Sequence, residues 1–298
     1  MPLVNIADKL LSNPSLRKKF EKAYFLYDEY ITNLPLKFYY LQARLKNSHK
    51  KTILCYPEKP VYYHVLDQIC RFSGFTITDR PQKADAVVFF EDTTYRKYDS
   101  VIQELVKKYK VINYYCWDIS KEHVDEIHNQ IFGYGLTINP RHYKKKYIKK
   151  GNINSLHNGV IMDQPEDPQP DFVYQLLVNN EINSELVEIR LPIIGNRIPF
   201  VYLKHRPIKD RFGSQNNWVK ILKTQSVITP HEYKKILEFC DSLGLDCGEI
   251  DILRDKNTNR IYIVDANNTP AGPPYQLPLK EYKRALHMMS EAFRQAFL

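Results

Sequence analysis

The residues best suited to chemistry lie on two apolar runs separated by a polar turn in the last sixth of the chain. The first run contains Glu249 and Asp251, and the second contains Asp265 and Asn267. A register symmetric about Thr258 places Asp251 opposite Asp265 in a hairpin. The same register places Glu249 opposite Asn267. Because side chains alternate along a strand, all four are predicted to share one face.

The other face of this predicted hairpin is apolar, as packing on a core requires. It carries five residues suited to burial: Ile250, Ile252, Tyr262, Val264 and Ala266. Like charges directly opposite each other destabilise a sheet, so we expect a cation to compensate the carboxylates. The alternatives are polar strand ends on an exposed edge, or a Ca²⁺ site without chemistry.

The predicted ligands are all oxygen atoms, without thiolate or imidazole. Such a set favours a hard cation, so Mg²⁺ is predicted, with Mn²⁺ able to replace it. Mg²⁺ held by one or two carboxylates usually completes its shell with water and phosphate oxygens. The cluster therefore predicts a phosphorylated ligand, and the simplest one is ATP.

A carboxylate on one strand, followed by carboxylate-x-Asn on the neighbouring strand, resembles the metal-binding signature of the ATP-grasp superfamily. Here the second motif is Asp265-Ala266-Asn267, where the family commonly has Glu-x-Asn. The thirteen residues between Asp251 and Asp265 fit the family's usual hairpin. The resemblance implies that both aspartates and Asn267 hold metal ions that bridge the nucleotide phosphates. It leaves Glu249 as an additional ligand or a substrate contact.

Other segments match the family's parts in order. Residues 147–150 look like its strand lysine, and Lys150 rather than Lys149 is predicted to contact phosphate oxygens. The segment 151–159 follows in the place of the flexible phosphate loop, although it has only two glycines. Residues 173–178 resemble the linker strand whose backbone meets adenine. The resemblance there implies cofactor contacts for Gln175, Leu176 and Val178.

Charges at alternate positions in two further apolar strands extend the resemblance. Glu188 and Arg190 belong to one strand, and Lys204 and Arg206 belong to the next. The two arginines are predicted to be catalytic, because a forked guanidinium can neutralise phosphate or clamp a substrate carboxylate. Glu188 and Lys204 are assigned to the cofactor site. For each arginine taken alone, the alternative is a structural salt bridge.

The elements that must position these residues predict an α/β fold. Residues 51–117 alternate short apolar strands with short helices, which indicates a small parallel α/β unit of the kind that precedes an ATP-grasp core. The resemblance assigns residues 118–298 to a two-lobed ATP-grasp-like α+β core. Residues 1–50 form a predicted helical N-terminal extension with an aromatic stripe that includes Phe20 and Tyr24. That stripe would pack on the body or, alternatively, contact a membrane surface.

Composition indicates a globular protein in a reducing compartment. Hydrophobic residues make up 43% of the 298 and charged residues 26%, which excludes the disordered class. No apolar run approaches the ~20 residues that cross a bilayer. The five cysteines are odd in number and form no CxxC pair, so we expect reduced thiols in a cytoplasmic protein rather than disulfides or a zinc site.

The formal charge of +9 indicates anionic partners. The predicted partners are ATP and an anionic small-molecule, peptide or glycan substrate, and no nucleic acid is expected. The resemblance implies an ATP- and Mg²⁺-dependent ligase that joins a carboxylate to an amine-type nucleophile through an acyl phosphate. Two alternatives remain open: a kinase with the same fold, and a nucleotide- or anion-binding protein without turnover.

Overall fold

The computed structural model describes residues 36–46, 51–156, 158–213 and 215–298. Helix α1 (Lys37–Lys46) is the described part of the predicted extension 1–50. The aromatic stripe that includes Phe20 and Tyr24 lies outside the described residues. Within those ranges, no helix combines the length and the apolar composition needed to cross a membrane.

A four-stranded parallel sheet forms the first unit and confirms the predicted alternation of strands and helices. Its strand order is β2-β1-β3-β4. The strands are β1 (Thr52–Pro57), β2 (Thr76–Thr78), β3 (Ala86–Phe90) and β4 (Val111–Ile112). Helix α2 (Val65–Ser73) joins β1 to β2, and α3 (Ser100–Val106) joins β3 to β4. Strand β3 is buried along its whole length, as a parallel strand covered on both faces should be.

A larger, six-stranded antiparallel sheet belongs to the second unit. Its order is β11-β10-β9-β12-β13, and the short strand β8 pairs with β9. The strands are β8 (Glu181–Ile182), β9 (Glu185–Ile194), β10 (Val201–Pro207), β11 (Trp218–Leu222), β12 (Cys247–Arg254) and β13 (Ile261–Asn267). Helices α4 (Lys121–Phe132) and α5 (Pro230–Leu243) bury their apolar faces against one side of this sheet.

A three-stranded antiparallel sheet forms the second lobe, in the order β6-β5-β7. Its strands are β5 (Tyr147–Gly151), β6 (Val160–Met162) and β7 (Phe172–Leu176). The small sheet and the six-stranded sheet are the two lobes that the resemblance implied. The fold class, a parallel α/β unit followed by a two-lobed α+β core, is therefore confirmed.

The last helix, α6 (Leu279–Phe297), links the two units. Its buried residues Leu286 and Phe293 belong to one apolar cluster with Ile53 and Ile69 of the first unit. Tyr202 of the six-stranded sheet joins the same cluster. The domain boundary between residues 117 and 118 stays a prediction, and an apolar core extends across it.

The open end of the β12–β13 hairpin has the predicted register. Asp251 is paired with Asp265, and Glu249 is paired with Asn267. The alternation of side chains also holds on β9 and β12. On β12, for example, Ile250 lies in the apolar cluster on one side of the sheet and Asp251 faces the other side. Because side chains alternate along these strands, the charged residues of the predicted site lie on one side of the sheet and the apolar core lies on the other.

A β-bulge breaks the symmetric register next to Asp251. Ile252 pairs with Ile263, not with Val264 as the symmetric register requires. The prediction that Tyr262 and Val264 lie on the core face with Ile250 was therefore wrong, because both belong to a second apolar cluster with Leu136 and Val178. Ile263 takes that place in the core, and the extra residue turns Val264 toward the other side of the sheet.

Candidate active site

A cleft of about 530 Å³ lies between the two lobes. Ten of the eleven residues predicted for the site line it: Lys150, Gln175, Leu176, Val178, Glu188, Arg190, Lys204, Arg206, Asp251 and Asp265. The eleventh, Asn267, is the last residue of β13 and lies two residues beyond Asp265. The roles of these residues stay predictions, but the fold brings the ten together from six strands and a loop.

Positive charge dominates the cleft. Its lining has six cationic and three acidic side chains: Lys121, Lys150, Arg190, Lys204, Arg206 and Arg211 against Glu188, Asp251 and Asp265. A cleft with low-dielectric walls focuses such a field. The surplus of positive charge favours a polyanionic ligand.

Arg190 and Asp251 form a forked ion pair at the centre of the cleft. Arg190 Nε donates to Asp251 Oδ1 at 2.7 Å, and Arg190 Nη2 donates to Oδ2 at 2.8 Å. The two residues are direct cross-strand partners on β9 and β12, which fixes the geometry. Burial raises the pKa of Asp251, but the guanidinium beside it prevails and holds the pKa well below its usual range.

Lys121 is a site residue that the sequence analysis missed. Its Nζ lies 3.3 Å from Asp265 Oδ1 and 2.9 Å from Asn154 Oδ1. Lys121 is the first residue of α4, and the Ser120 hydroxyl caps that helix by accepting a hydrogen bond from the His123 amide. Burial raises the pKa of Asp265, and the charge of Lys121 offsets only part of the rise.

Strand β5 directs its two lysines to different environments. Lys150 lines the cleft, and its Nζ donates to the Val264 carbonyl at 3.3 Å. Lys149 Nζ instead lies 2.9 Å from Glu166 Oε1 and over the ring of Phe172. Burial, followed by the nearby charge of Lys121, lowers the pKa of Lys150 to about 8. The choice of Lys150 over Lys149 therefore agrees with their placement.

A second group of charges crosses from β9 to β10. Glu188 forms ion pairs with Lys204 and with Arg206, whose Nη2 lies 3.4 Å from Glu188 Oε2. Arg206 Nη1 also donates to the Arg211 carbonyl at 3.2 Å. Within the described part of the chain, Arg206 Nε is buried without a hydrogen-bond partner. Glu188 thus holds two cations, Lys204 and Arg206, in place.

Glu249 lies deeper than the other carboxylates. Only 4% of its surface is exposed, and its Oε2 lies 3.4 Å from Arg190 Nη1. Burial raises the pKa of Glu249 to about 7, although Arg190 acts in the opposite direction. Arg190 therefore lies between two carboxylates of β12.

The end of the cleft next to β7 is apolar. Its lining there consists mainly of aliphatic side chains: Leu136, Ile148, Leu176, Val178, Leu186 and Leu253. The Leu176 amide donates to the Leu136 carbonyl at 2.8 Å, which fixes the end of β7. Gln175, only 3% exposed, adds a polar group. A flat, largely apolar ring system suits this end.

The loop after β5 packs over the cleft, and its two glycines serve close contacts. The Gly151 amide donates to Asn158 Oδ1 at 2.9 Å, and Leu156 lines the cleft. A Cβ on Gly159 would lie 2.3 Å from the ring of Phe212. Gly151 and Gly159 are therefore the two points at which this loop comes close to neighbouring side chains.

The carboxylates fit a metal ion that arrives with phosphate. Among the described residues, no three or more histidine, cysteine, aspartate or glutamate side chains are grouped to hold a metal ion. Asn267 Oδ1 accepts a hydrogen bond from the Thr269 amide at 2.8 Å. Asp251 and Asp265, directly opposed, offer the one or two carboxylates with which Mg²⁺ binds when phosphate supplies other ligands.

Comparison with known proteins supports the fold. Neither a protein-family model nor a curated protein sequence matches the chain. The ATP-grasp ligase PsnB, complexed with a minimal precursor, matches with a TM-score of 0.51 at 11% identity, over 83% of this chain and 99% of that one.

Two further solved structures match equally well. PsnB with a phosphomimetic precursor variant, Mg and ADP gives a TM-score of 0.50 at 8% identity, over 84% of this chain and 99% of that one. The D-cycloserine synthetase DcsG gives 0.50 at 12% identity, over 83% and 99%. The expected resemblance is thus confirmed at the level of the fold, and this protein has the fold of the ATP-grasp ligases.

Proposed function

We propose that the protein is an ATP- and Mg²⁺-dependent ligase that joins a carboxylate to an amine-type nucleophile. The observation that carries the proposal is the opposed pair Asp251 and Asp265 within a cleft of surplus positive charge. Lys121, Lys150 and Arg190 surround this pair. A PsnB structure of similar fold contains Mg and ADP, which supports the same ligands here.

In this proposal each part of the cleft takes one part of the nucleotide. The apolar end near Leu176 and Val178 holds adenine, and Lys121 and Lys150 contact the phosphates. Asp251 and Asp265 hold Mg²⁺, with Asn267 as a third ligand. The metal ion, when bound, offsets negative charge on the transferring phosphoryl group.

The proposed reaction needs no nucleophile from the protein. An oxygen of the substrate carboxylate attacks the γ-phosphorus, and the bond between that phosphorus and ADP breaks. The amine nitrogen then attacks the carbonyl carbon of the acyl phosphate, loses a proton, and displaces phosphate. In this proposal, Arg190 and Arg206 orient the carboxylate and stabilise the charge that develops on it.

The substrate that receives the phosphoryl group is proposed to be an anionic small molecule, peptide or glycan. The surplus of positive charge in the cleft supports this assignment, since the acid and the triphosphate both bring negative charge. A substrate carboxylate also matches the forked donors of the two arginines.

Hydroxylamine offers a direct test, because it intercepts acyl phosphates and replaces the unidentified amine. Carboxylic acids would be screened with ATP, Mg²⁺ and hydroxylamine for ADP release and hydroxamate formation. The ligase predicts transfer of one ¹⁸O from labelled carboxylate to phosphate. A stable phosphorylated product without hydroxamate would establish the kinase alternative. Failure to bind Mg·ATP would contradict both.

A further inference from the structure

One part of the cleft wall carries no charged side chain. Two segments supply it: Tyr63 and Gln68 near the start of α2, and the stretch from Ala271 to Tyr282 that runs into α6. Every lining residue from these two segments is uncharged: Tyr63, Gln68, Ala271, Gly272, Pro273, Pro274, Tyr275, Gln276 and Tyr282. We call this set the uncharged wall. It differs sharply from the charged lining supplied by β9, β10, β12 and β13.

Hydrogen bonds hold the uncharged wall in one arrangement. Tyr282 Oη donates to Gln68 Oε1 at 2.8 Å, and Gln68 Nε2 donates to the Tyr62 carbonyl at 3.1 Å. Gln68 is only 2% exposed. A Cβ on Gly272 would lie 2.4 Å from Gln68 Oε1, so a larger residue there would displace the Gln68 amide. The wall is therefore organised before a ligand arrives.

Gln276 lacks hydrogen-bond partners in this wall. Its Nε2 and Oε1 are both buried and unpartnered within the described ranges. Unsatisfied buried polar atoms are costly, so such a pair indicates a ligand that supplies both an acceptor and a donor. A neutral amide has both a carbonyl oxygen and an N–H. A carboxylate offers acceptors alone, and an ammonium group offers donors alone.

The uncharged wall also disfavours a charged group. Burial raises the pKa of Tyr282 to about 12, so its hydroxyl stays neutral near pH 7. A charge placed against the wall would lose hydration without gaining an opposite charge from the residues that form it. A polar but uncharged part of the substrate is the better complement.

We infer that the uncharged wall binds an amide group of the substrate, which would carry a peptide group or a carboxamide near its reacting centre. Gln276 would supply the complementary donor and acceptor, and Gln68 and Tyr282 would fix the surrounding surface. The inference rests on the proposed ligase function and deepens it by naming a substrate class. It concerns a part of the cleft outside the metal and phosphate contacts.

Four probes with one phenyl body and different head groups test the inference. They are N-acetylphenylalanine N-methylamide, 3-phenylpropanamide, 3-phenylpropanoate and 3-phenylpropylammonium. Enzyme saturated with Mg·AMP-PNP, which keeps the charged lining occupied, would be titrated with each probe by NMR. We expect at least one amide to bind about tenfold more tightly than both charged probes. Preference between the two amides would distinguish a peptide group from a carboxamide.

Substitutions in the uncharged wall test whether the preference for amide probes comes from Gln276. Gln276→Met keeps the length of the side chain and should remove the amide preference, whereas Gln276→Glu should shift preference to the ammonium probe. Gly272→Ala should weaken amide binding by displacing Gln68. The matched control is Gln103→Met, on the exposed surface of α3, which should behave as wild type. All four variants should retain wild-type affinity for Mg·AMP-PNP.

The outcomes separate this inference from the function on which it rests. If wild type does not bind Mg·AMP-PNP, the proposed function fails. If the nucleotide binds but charged probes bind as well as the amides, the inference alone is overturned. An amide preference that survives in Gln276→Met would also overturn it, because the preference would then come from elsewhere in the cleft.

Discussion

Both carboxylate oxygens of Asp251 accept hydrogen bonds from Arg190, at 2.7 and 2.8 Å. Asp265 has a cation of its own, because Lys121 Nζ lies 3.3 Å away. The two predicted metal ligands are thus already paired with charges from the protein. We expect a bound metal ion to displace these cations, which would then become available to phosphate or to a substrate carboxylate. Metal ion and nucleotide should therefore favour each other's binding.

The variant Arg190→Gln tests whether a metal ion and Arg190 compete for Asp251, because the variant should bind the metal ion more tightly. Without the guanidinium, Asp251 should bind Mn²⁺ in the absence of nucleotide at least about tenfold more tightly than in wild type. Electron paramagnetic resonance of free Mn²⁺ would measure the affinity. Arg141→Gln is the control, because Arg141 forms an exposed ion pair with Asp167 and does not line the cleft. Equal Mn²⁺ affinity in wild type and Arg190→Gln would refute the exchange.

Asp265→Asn should separate activity from stability. It keeps the shape of the side chain but removes charge from the predicted metal site, so turnover should fall by at least about a hundredfold. Metal-free protein should melt no lower than wild type, because the change removes one of two carboxylates that lie directly opposite each other. Hydroxamate formation and thermal melts would measure the two effects. Asp167→Asn, at an exposed ion pair with Arg141, is the control.

A structural aspartate would give the reverse of this pattern. An Asp265→Asn protein that melts far lower, yet keeps its activity per folded molecule, would remove the main support for the metal site.

Lys150→Ala should weaken binding of Mg·AMP-PNP by roughly ten- to a hundredfold, the range expected for a charge-assisted hydrogen bond. Lys149→Ala is a close control, because the two lysines are neighbours on β5 and only Lys150 lines the cleft. Calorimetry should show near wild-type affinity for Lys149→Ala. Equal losses would mean that the lysines act as a diffuse basic patch.

His128 should make folding stability depend on pH. It is fully buried and stacked on Phe132, with ring centroids 4.4 Å apart. Within the described part of the protein, neither ring nitrogen has a hydrogen-bond partner. Burial lowers the pKa of His128 to about 4, although Asp125 nearby acts to raise it. The folded state therefore excludes a proton that the unfolded state binds below pH ~6.5.

Because the unfolded state holds more protons between these two values, stability is lost as pH falls from about 6.5 to about 4. The loss attributable to His128 should be about 3 kcal/mol. Urea unfolding at several pH values would show a smaller loss in His128→Phe than in wild type. His142→Phe, at an exposed site, should keep the wild-type slope. Parallel slopes for wild type and His128→Phe would contradict the assignment.

The opposition of Asp251 and Asp265 could be predicted because a polar turn and strict alternation fix a hairpin register. The bulge beside Asp251 could not. Residues 262–264 are all apolar, so a shift of one position leaves the hydrophobic pattern equally plausible. Local patterning therefore gave the carboxylate pair but not the side of the sheet on which Val264 lies.

Lys121 and Gln276 could not be predicted from local patterns. Lys121 looks like any lysine at a helix start, and its contact with Asp265 spans 144 positions. Gln276 lies in a proline-rich loop. Its inferred role depends on the uncharged wall, which is formed by two segments that are distant in the sequence. By contrast, the position of Lys150 in the cleft could be predicted because it belongs to an ordered series of motifs, and its role stays a prediction.

Ile53 and Ile69 share one apolar cluster with Leu286 and Phe293, more than 200 positions later in the chain. Such long-range contacts form slowly, because a very large loop must close first. During synthesis the first unit leaves the ribosome long before α6 exists. Until α6 is made, the apolar face that it covers in the folded protein stays exposed on the nascent chain. A stop codon before Leu279 would leave that face uncovered permanently and favour aggregation.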